Sequence, residues 1–266
     1  MLNGWYPGAN ALEVSIRTPE MFVTPFQSII PAGSPVRTYN LPDARIRIAT
    51  PGPDPANGDH NFFVQVTDPS GGSVTGGSWR LRVRNVSRSN ARLYVWTLDD
   101  QEASEVLFTG TSVKNSLKIG SPGAAASAIT VASYTTKVQW TDIDGALEQV
   151  GLTLDDISDF SSEGPLRNNT QKRDLTAPGA MIASCLSADS TPDRAEKINQ
   201  NFRIMAGTSM ATPFTAGIVA LLLQRNRNLD PNGVKALLRV NSSVPGKPAG
   251  SFDPKWGFGL IDAAGL

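Results

Sequence analysis

The chain has 266 residues, and its 24 Lys+Arg balance its 24 Asp+Glu, so neither a nucleic acid nor an anionic membrane is indicated as partner. Hydrophobic residues make up 40% and charged residues 18%, which excludes a disordered chain, while 24 Gly and 19 Pro favour turn-rich β or loop-rich α/β structure. One cysteine, Cys185, excludes an intrachain disulfide, and Met1–Asn10 lacks the basic-then-apolar layout of a signal peptide, which leaves the compartment open.

Residues 1–104 read as all-β. Leu12–Ile16 alternates apolar and polar residues, as a half-buried strand does. Arg45–Ile48, Phe62–Val66, Trp79–Val83 and Leu93–Trp96 are further short runs, separated by turn clusters at Pro51–Pro55, Pro69–Gly72 and Ser87–Asn90. Many short strands with such punctuation indicate a β-sandwich or jelly roll.

The character changes after about Asp100. Ala128–Ala132 and Met181–Ala183 each follow a Pro-Gly turn and read as buried strands. Residues 137–157 are polar and Asp-rich, a surface excursion. Thr208 to about Gln224 is apolar on nearly all faces and predicts a central buried helix. Asp230-Pro231 supplies an N-cap and a proline at the first helical position for a second helix through about Val240. Strands alternating with helices predict an α/β unit over residues 105–266.

Gly207-Thr208-Ser209-Met210-Ala211-Thr212-Pro213 carries the chemistry. A small-residue turn delivers a serine to the start of a helix, where first-turn N–H groups are unpaired and the helix dipole is positive. A hydroxyl there can attack a carbonyl while those N–H groups stabilise the oxyanion. Pro213 has no N–H, so the Ser209 carbonyl loses its usual partner four residues on. On physical grounds alone, the ordinary N-cap is the favoured reading of Ser209 or Thr208, since Ser and Thr caps are common.

The stretch Gly207–Pro213 resembles the serine motif of the subtilisin-like proteases at every position. Three other segments resemble that family in the expected order. Ile119–Gly123, running on to Ala128–Ala132, is similar to the segment after the family's oxyanion asparagine, where relatives often hold a cis proline. Phe160–Pro165 and Asp174–Gly179 are similar to the loop and strand before the serine, and Trp256–Ala263 to the closing segment of the catalytic domain. Phe214 departs from the histidine that many members carry. More loosely, Gly4-Trp5-Tyr6 and Gly77–Leu81 resemble the jelly-roll insert that Csp-type germination proteases carry between catalytic histidine and serine.

The resemblance implies a parallel-sheet catalytic domain preceded by a jelly-roll insert. It implies a serine endopeptidase acting on peptide or protein substrates, with Ser209 as nucleophile and Thr208 supporting the oxyanion. No cofactor or metal is implied by the chemistry, and relatives are often secreted. The family's Asp-Thr-Gly, His-Gly-Thr-His and Gly-Asn settings do not occur here. The single histidine, His60, sits in Asn57-Gly58-Asp59-His60-Asn61 and reads as a solvated turn residue opening a strand, not a base. The expectation is a C-terminal portion that lacks the triad aspartate and histidine and is inactive alone, its partner being the missing N-terminal part of the catalytic domain. Other features carry less. Gly110-Thr111-Ser112 reads as a loop. Asp142, Asp144, Asp155 and Asp156 lack the spacing of a calcium loop. Cys185 reads as a small core residue. Two rival functions are a non-catalytic relative acting as regulator, and a β-sandwich binding module.

Overall fold

The computed structural model describes residues 1–29, 36–98 and 106–266, and the chain divides into two compact units, Met1–Val113 and Lys114–Leu266. The 104/105 boundary expected from composition falls outside the described residues.

The first unit is antiparallel β structure. Its strands are β1 (Leu2–Tyr6), β2 (Leu12–Arg17), β3 (Val36–Asn40), β4 (Arg45–Ala49), β5 (His60–Thr67), β6 (Arg80–Asn85) and β7 (Tyr94–Thr97). One sheet has the order β3-β4-β5-β1-β7, and β2 pairs with β6 in a second. Alternation explains the packing. Leu12, Val14 and Ile16 of β2 face a core shared with Tyr6, Ile46, Ile48, Phe62 and Val64 of the larger sheet. His60 corrects the sequence reading. It is 7% exposed, pairs with Tyr6 across β1 and β5, and lays its ring 5.3 Å from the Tyr6 ring. Because β5 is the middle strand of its sheet, even its first residue is covered.

The second unit is built on a four-stranded sheet. Its strands are β8 (Val131–Thr135), β9 (Gln139–Thr141), β10 (Leu147–Gln149), β11 (Leu175–Ala180), β12 (Ile182–Cys185), β13 (Phe202–Met205), β14 (Ser242–Ser243) and β15 (Leu260–Ile261). The helices are α1 (Thr208–Arg225) and α2 (Pro231–Val240). The central order is β14-β15-β11-β8, parallel between β8, β11 and β15. The Asp-rich excursion forms the β9–β10 hairpin. The Asp230 side chain caps α2 by accepting from the Gly233 N–H at 2.7 Å.

Three expectations are revised. The buried strand lies at Leu175–Ala180, not Met181–Ala183: Met181 turns with φ 53°, and Ile182–Cys185 leaves the sheet as a hairpin with β13. Cys185, at the outer end of that hairpin, is exposed instead of in the core. Helix α1 is not buried all round. Only Ala211, Thr215, Ile218 and Leu222, a stripe at one face, are buried against β11 and β8. Phe214, Leu221 and Leu223 are exposed, Leu221 by 62%.

Candidate active site

The turn into α1 is fixed by two glycines. Gly207 adopts φ 153°, ψ 156°, a region side chains disfavour, and its N–H donates to the Gly179 carbonyl at 2.8 Å. A Cβ on Gly179 would lie 2.5 Å from Ser133 Oγ and 3.0 Å from both Ala211 Cβ and the Gly207 carbonyl oxygen. The end of β11 and the start of α1 therefore touch through backbone. The Met210 N–H bonds back to the Gly207 carbonyl at 2.9 Å. The N–H groups of Thr208 and Ser209 head the helix with no backbone partner among the described residues. Ser209, second in the helix, is exposed. Pro213 lies inside α1, so the Ser209 carbonyl has no N–H four residues on. The serine is thus presented at the positive end of an 18-residue helix, beside free donors.

Behind this turn lies a buried hydroxyl network that sequence reasoning missed. Ser133 Oγ is 2.9 Å and Thr135 Oγ1 3.0 Å from Ser158 Oγ, and Ser161 Oγ accepts from the Ser133 N–H at 3.0 Å. It ties Phe160–Pro165 to β8, directly under Gly179. The only signal in the sequence was the run of small hydroxyl residues.

Thr208 also lines a cavity of about 150 Å³ together with Lys118, Gly120, Thr130, Ser161 and Arg173. Arg173 is 1% exposed, and its guanidinium donates to the carbonyls of Ser162 and Lys255. Burial pushes it down to about 10, against the pull of Glu163 and Asp253. Ser121–Pro122, at the edge of the same segment, is cis, as the resemblance led one to expect. The closing segment is anchored to β11: the Thr176 hydroxyl donates to the Trp256 carbonyl at 2.7 Å, and the Thr176 N–H to the Gly259 carbonyl at 2.8 Å.

The remaining candidates have other surroundings within their own units. His60 belongs to the core of the first unit, where its Nδ1 has no hydrogen-bond partner among the described residues. Asp142 accepts from the N–H groups of Asp144 and Ala146 in the β9–β10 turn, Asp144 pairs with Arg194, and Asp155 accepts from the Tyr134 hydroxyl at 2.9 Å. Among the described residues, no group of three or more His, Cys, Asp or Glu could hold a metal ion. Gly110–Ser112 is a turn.

The subtilase family model matches residues 53–259. The chain belongs to that family. Serine protease AprX of Bacillus subtilis is 38% identical over 136 residues, which is 49% of this chain and 28% of AprX. Subtilisin-like protease SBT2.6 of Arabidopsis thaliana is 36% identical over 108 residues, 38% of this chain and 13% of that protein. Among solved structures, the CspB protease of Clostridium perfringens superposes with a TM-score of 0.71 at 21% identity, over 99% of this subtilase chain and 51% of CspB. The subtilase chain thus spans a minor part of these two curated relatives and about half of that structure.

Proposed function

We propose that this chain is the serine-bearing part of a subtilisin-like endopeptidase, and that Ser209 attacks the scissile carbonyl of a peptide or protein substrate. The observation that carries the reading is the exposed Ser209 at the head of α1, next to the N–H groups of Thr208 and Ser209, which have no backbone partner among the described residues. The Ser209 oxygen forms the bond to the carbonyl carbon. Its own N–H, with Thr208 beside it, stabilises the oxyanion, and collapse expels the amine to leave an acyl-enzyme for water to cleave. The cavity beside Thr208 gives a substrate side chain a place next to the reacting bond.

The base that takes the hydroxyl proton comes from outside these 266 residues. His60 is the sole histidine and lies in the core of the first unit. The exposed apolar side chains flanking the buried stripe of α1, Phe214 and Leu221 on one side and Leu223 on the other, support a covering portion of catalytic domain that also brings the histidine, its aspartate and a second oxyanion donor. The two sheets of the first unit, packed on one core, support a jelly-roll insert preceding the serine-bearing part.

The test is peptide hydrolysis by the 266-residue chain alone, and by the chain mixed with a separately made N-terminal half of a subtilisin-like catalytic domain carrying aspartate and histidine. The chain alone is expected to lose a thousand-fold or more of the turnover, roughly the cost of a missing triad member. The mixture is expected to regain turnover that Ser209→Ala abolishes. Ser209-dependent turnover by the chain alone overturns the need for an outside base. Turnover of the mixture that survives Ser209→Ala overturns the role of Ser209.

A further inference from the structure

We propose that the outer edge of β6, with its row of arginines, docks an extended acid-rich polypeptide segment that joins the sheet as a strand. Among the described residues, strand β6 pairs only with β2. The other edge of β2 is occupied by the chain around Thr24 and Gln27: the Val14 N–H donates to the Gln27 carbonyl at 3.0 Å, the Gln27 N–H to the Val14 carbonyl at 2.8 Å, and the Thr24 N–H to the Ile16 carbonyl at 2.9 Å. Val14 and Ile16 therefore turn their main-chain groups away from β6. In antiparallel pairing their partners opposite, Val83 and Leu81, turn theirs away from β2. These N–H and C=O groups have no hydrogen-bond partner among the described residues. An unpaired edge of this kind is a template for a further strand.

The side chains on one face of that edge select the strand by charge. Arg80, Arg82 and Arg84 recur at every second residue and are all exposed. Arg82 and Arg84 lie over the Phe26 ring at 4.9 and 4.3 Å, which holds two guanidinium groups close together. Glu13 answers Arg84 at 2.6 Å, but no carboxylate pairs with Arg80, Arg82 or Arg17 among the described residues. Arg17 stands directly opposite Arg80, a like-charge cross-strand pair, and its Nε is buried without a hydrogen-bond partner. Such a row is short of anions. A strand with carboxylates at alternate positions repeats at about 6.8 Å, as the arginines do. It satisfies the charge and the main-chain edge together, which a sulfated or phosphorylated polymer cannot do. The site is independent of Ser209, so its failure would leave the protease reading untouched.

The test is fluorescence anisotropy of a dye-labelled peptide with glutamate at alternate positions, titrated with the full chain. A peptide of equal composition with its glutamates in one block is the control, and amide hydrogen exchange is followed in parallel. The alternating peptide is expected to bind about ten-fold more tightly than the block peptide and to slow exchange at Leu81 and Val83. The double variant Arg80→Gln, Arg82→Gln is expected to weaken it about ten-fold with an unchanged circular dichroism spectrum. The reversal Arg80→Glu, Arg82→Glu should accept a lysine-alternating peptide instead. Equal binding of both glutamate peptides, or binding without protection of Leu81 and Val83, overturns the proposal. So does polyphosphate binding as tight as that of the alternating peptide.

Discussion

At the scale of single residues, the closing segment is held by one carboxylate. Asp253 accepts from Lys247 Nζ at 2.6 Å and from the N–H groups of Lys255 and Trp256 at 2.8 and 3.2 Å. Partial burial alone would raise its pKa, but these donors outweigh it and hold the carboxyl below its ordinary 3.8. A carboxyl depressed on folding stabilises the fold above its unfolded value, and that contribution is lost as pH falls through the lower folded value. Lys247→Met is therefore expected to lower the urea midpoint at pH 7 and to converge on the parent chain as the pH falls below about 4. A midpoint gap that stays constant from pH 7 to pH 2.5 would show that Asp253 contributes nothing through this pair. At this scale the sequence was legible where a residue type admits few uses. Ser209 in its seven-residue setting and Asp230 as a cap were both readable. Cys185 and His60 were not, because exposure depends on which strand is an edge and which is central, a matter of pairing rather than of local pattern.

At the scale of elements, β11 and α2 are joined by a buried charge cluster at the start of β11. Asp174, whose side chain is 1% exposed, takes Lys172 Nζ at 3.1 Å and the Arg239 guanidinium at 2.7 Å, with Lys235 Nζ at 3.9 Å. It also accepts from the Thr130 N–H at 2.8 Å, tying in the start of β8. The cations find other acceptors as well, Lys172 the Ala128 carbonyl and Lys235 the Ala126 carbonyl. Removing the single anion leaves buried cations uncompensated, which typically costs about 3–5 kcal/mol. Asp174→Ala is expected to lose stability of that order in chemical denaturation, and a loss below about 1 kcal/mol would mean that the cluster relaxes into water. None of this was readable from spacing, since Lys172, Asp174, Lys235 and Arg239 meet only through tertiary packing. The elements themselves were legible where periodicity is strong, as for β2, β4 and α2. Helix α1 misled because uniform apolarity says that all faces want cover, not that all faces find it within this chain.

At the scale of the whole molecule, the two units own separate cores, one around Ile46, Phe62 and Val64, the other around Leu175, Ala211 and Leu238. The chain at residues 106–113 is exposed and without regular structure, and Leu107 is 71% exposed. Exposed irregular chain between cores is where proteases cut first. Brief digestion with chymotrypsin is expected to cleave after Leu107 or Phe108 and to leave two fragments that resist further attack. A first cut inside β8, β11 or α1 would contradict the assignment of independent cores.

The outward position of Cys185 has a practical consequence. Since each polypeptide holds one thiol and that thiol faces solvent, air oxidation can join molecules only in pairs, and a maleimide dye attaches at one known point. Cys185 pairs with Phe202 at the far end of the hairpin whose other end, Met205, runs into Gly207 and Ser209. A dye there rides on the arm leading to the nucleophile, and its emission becomes a gauge of any rearrangement when a catalytic partner arrives.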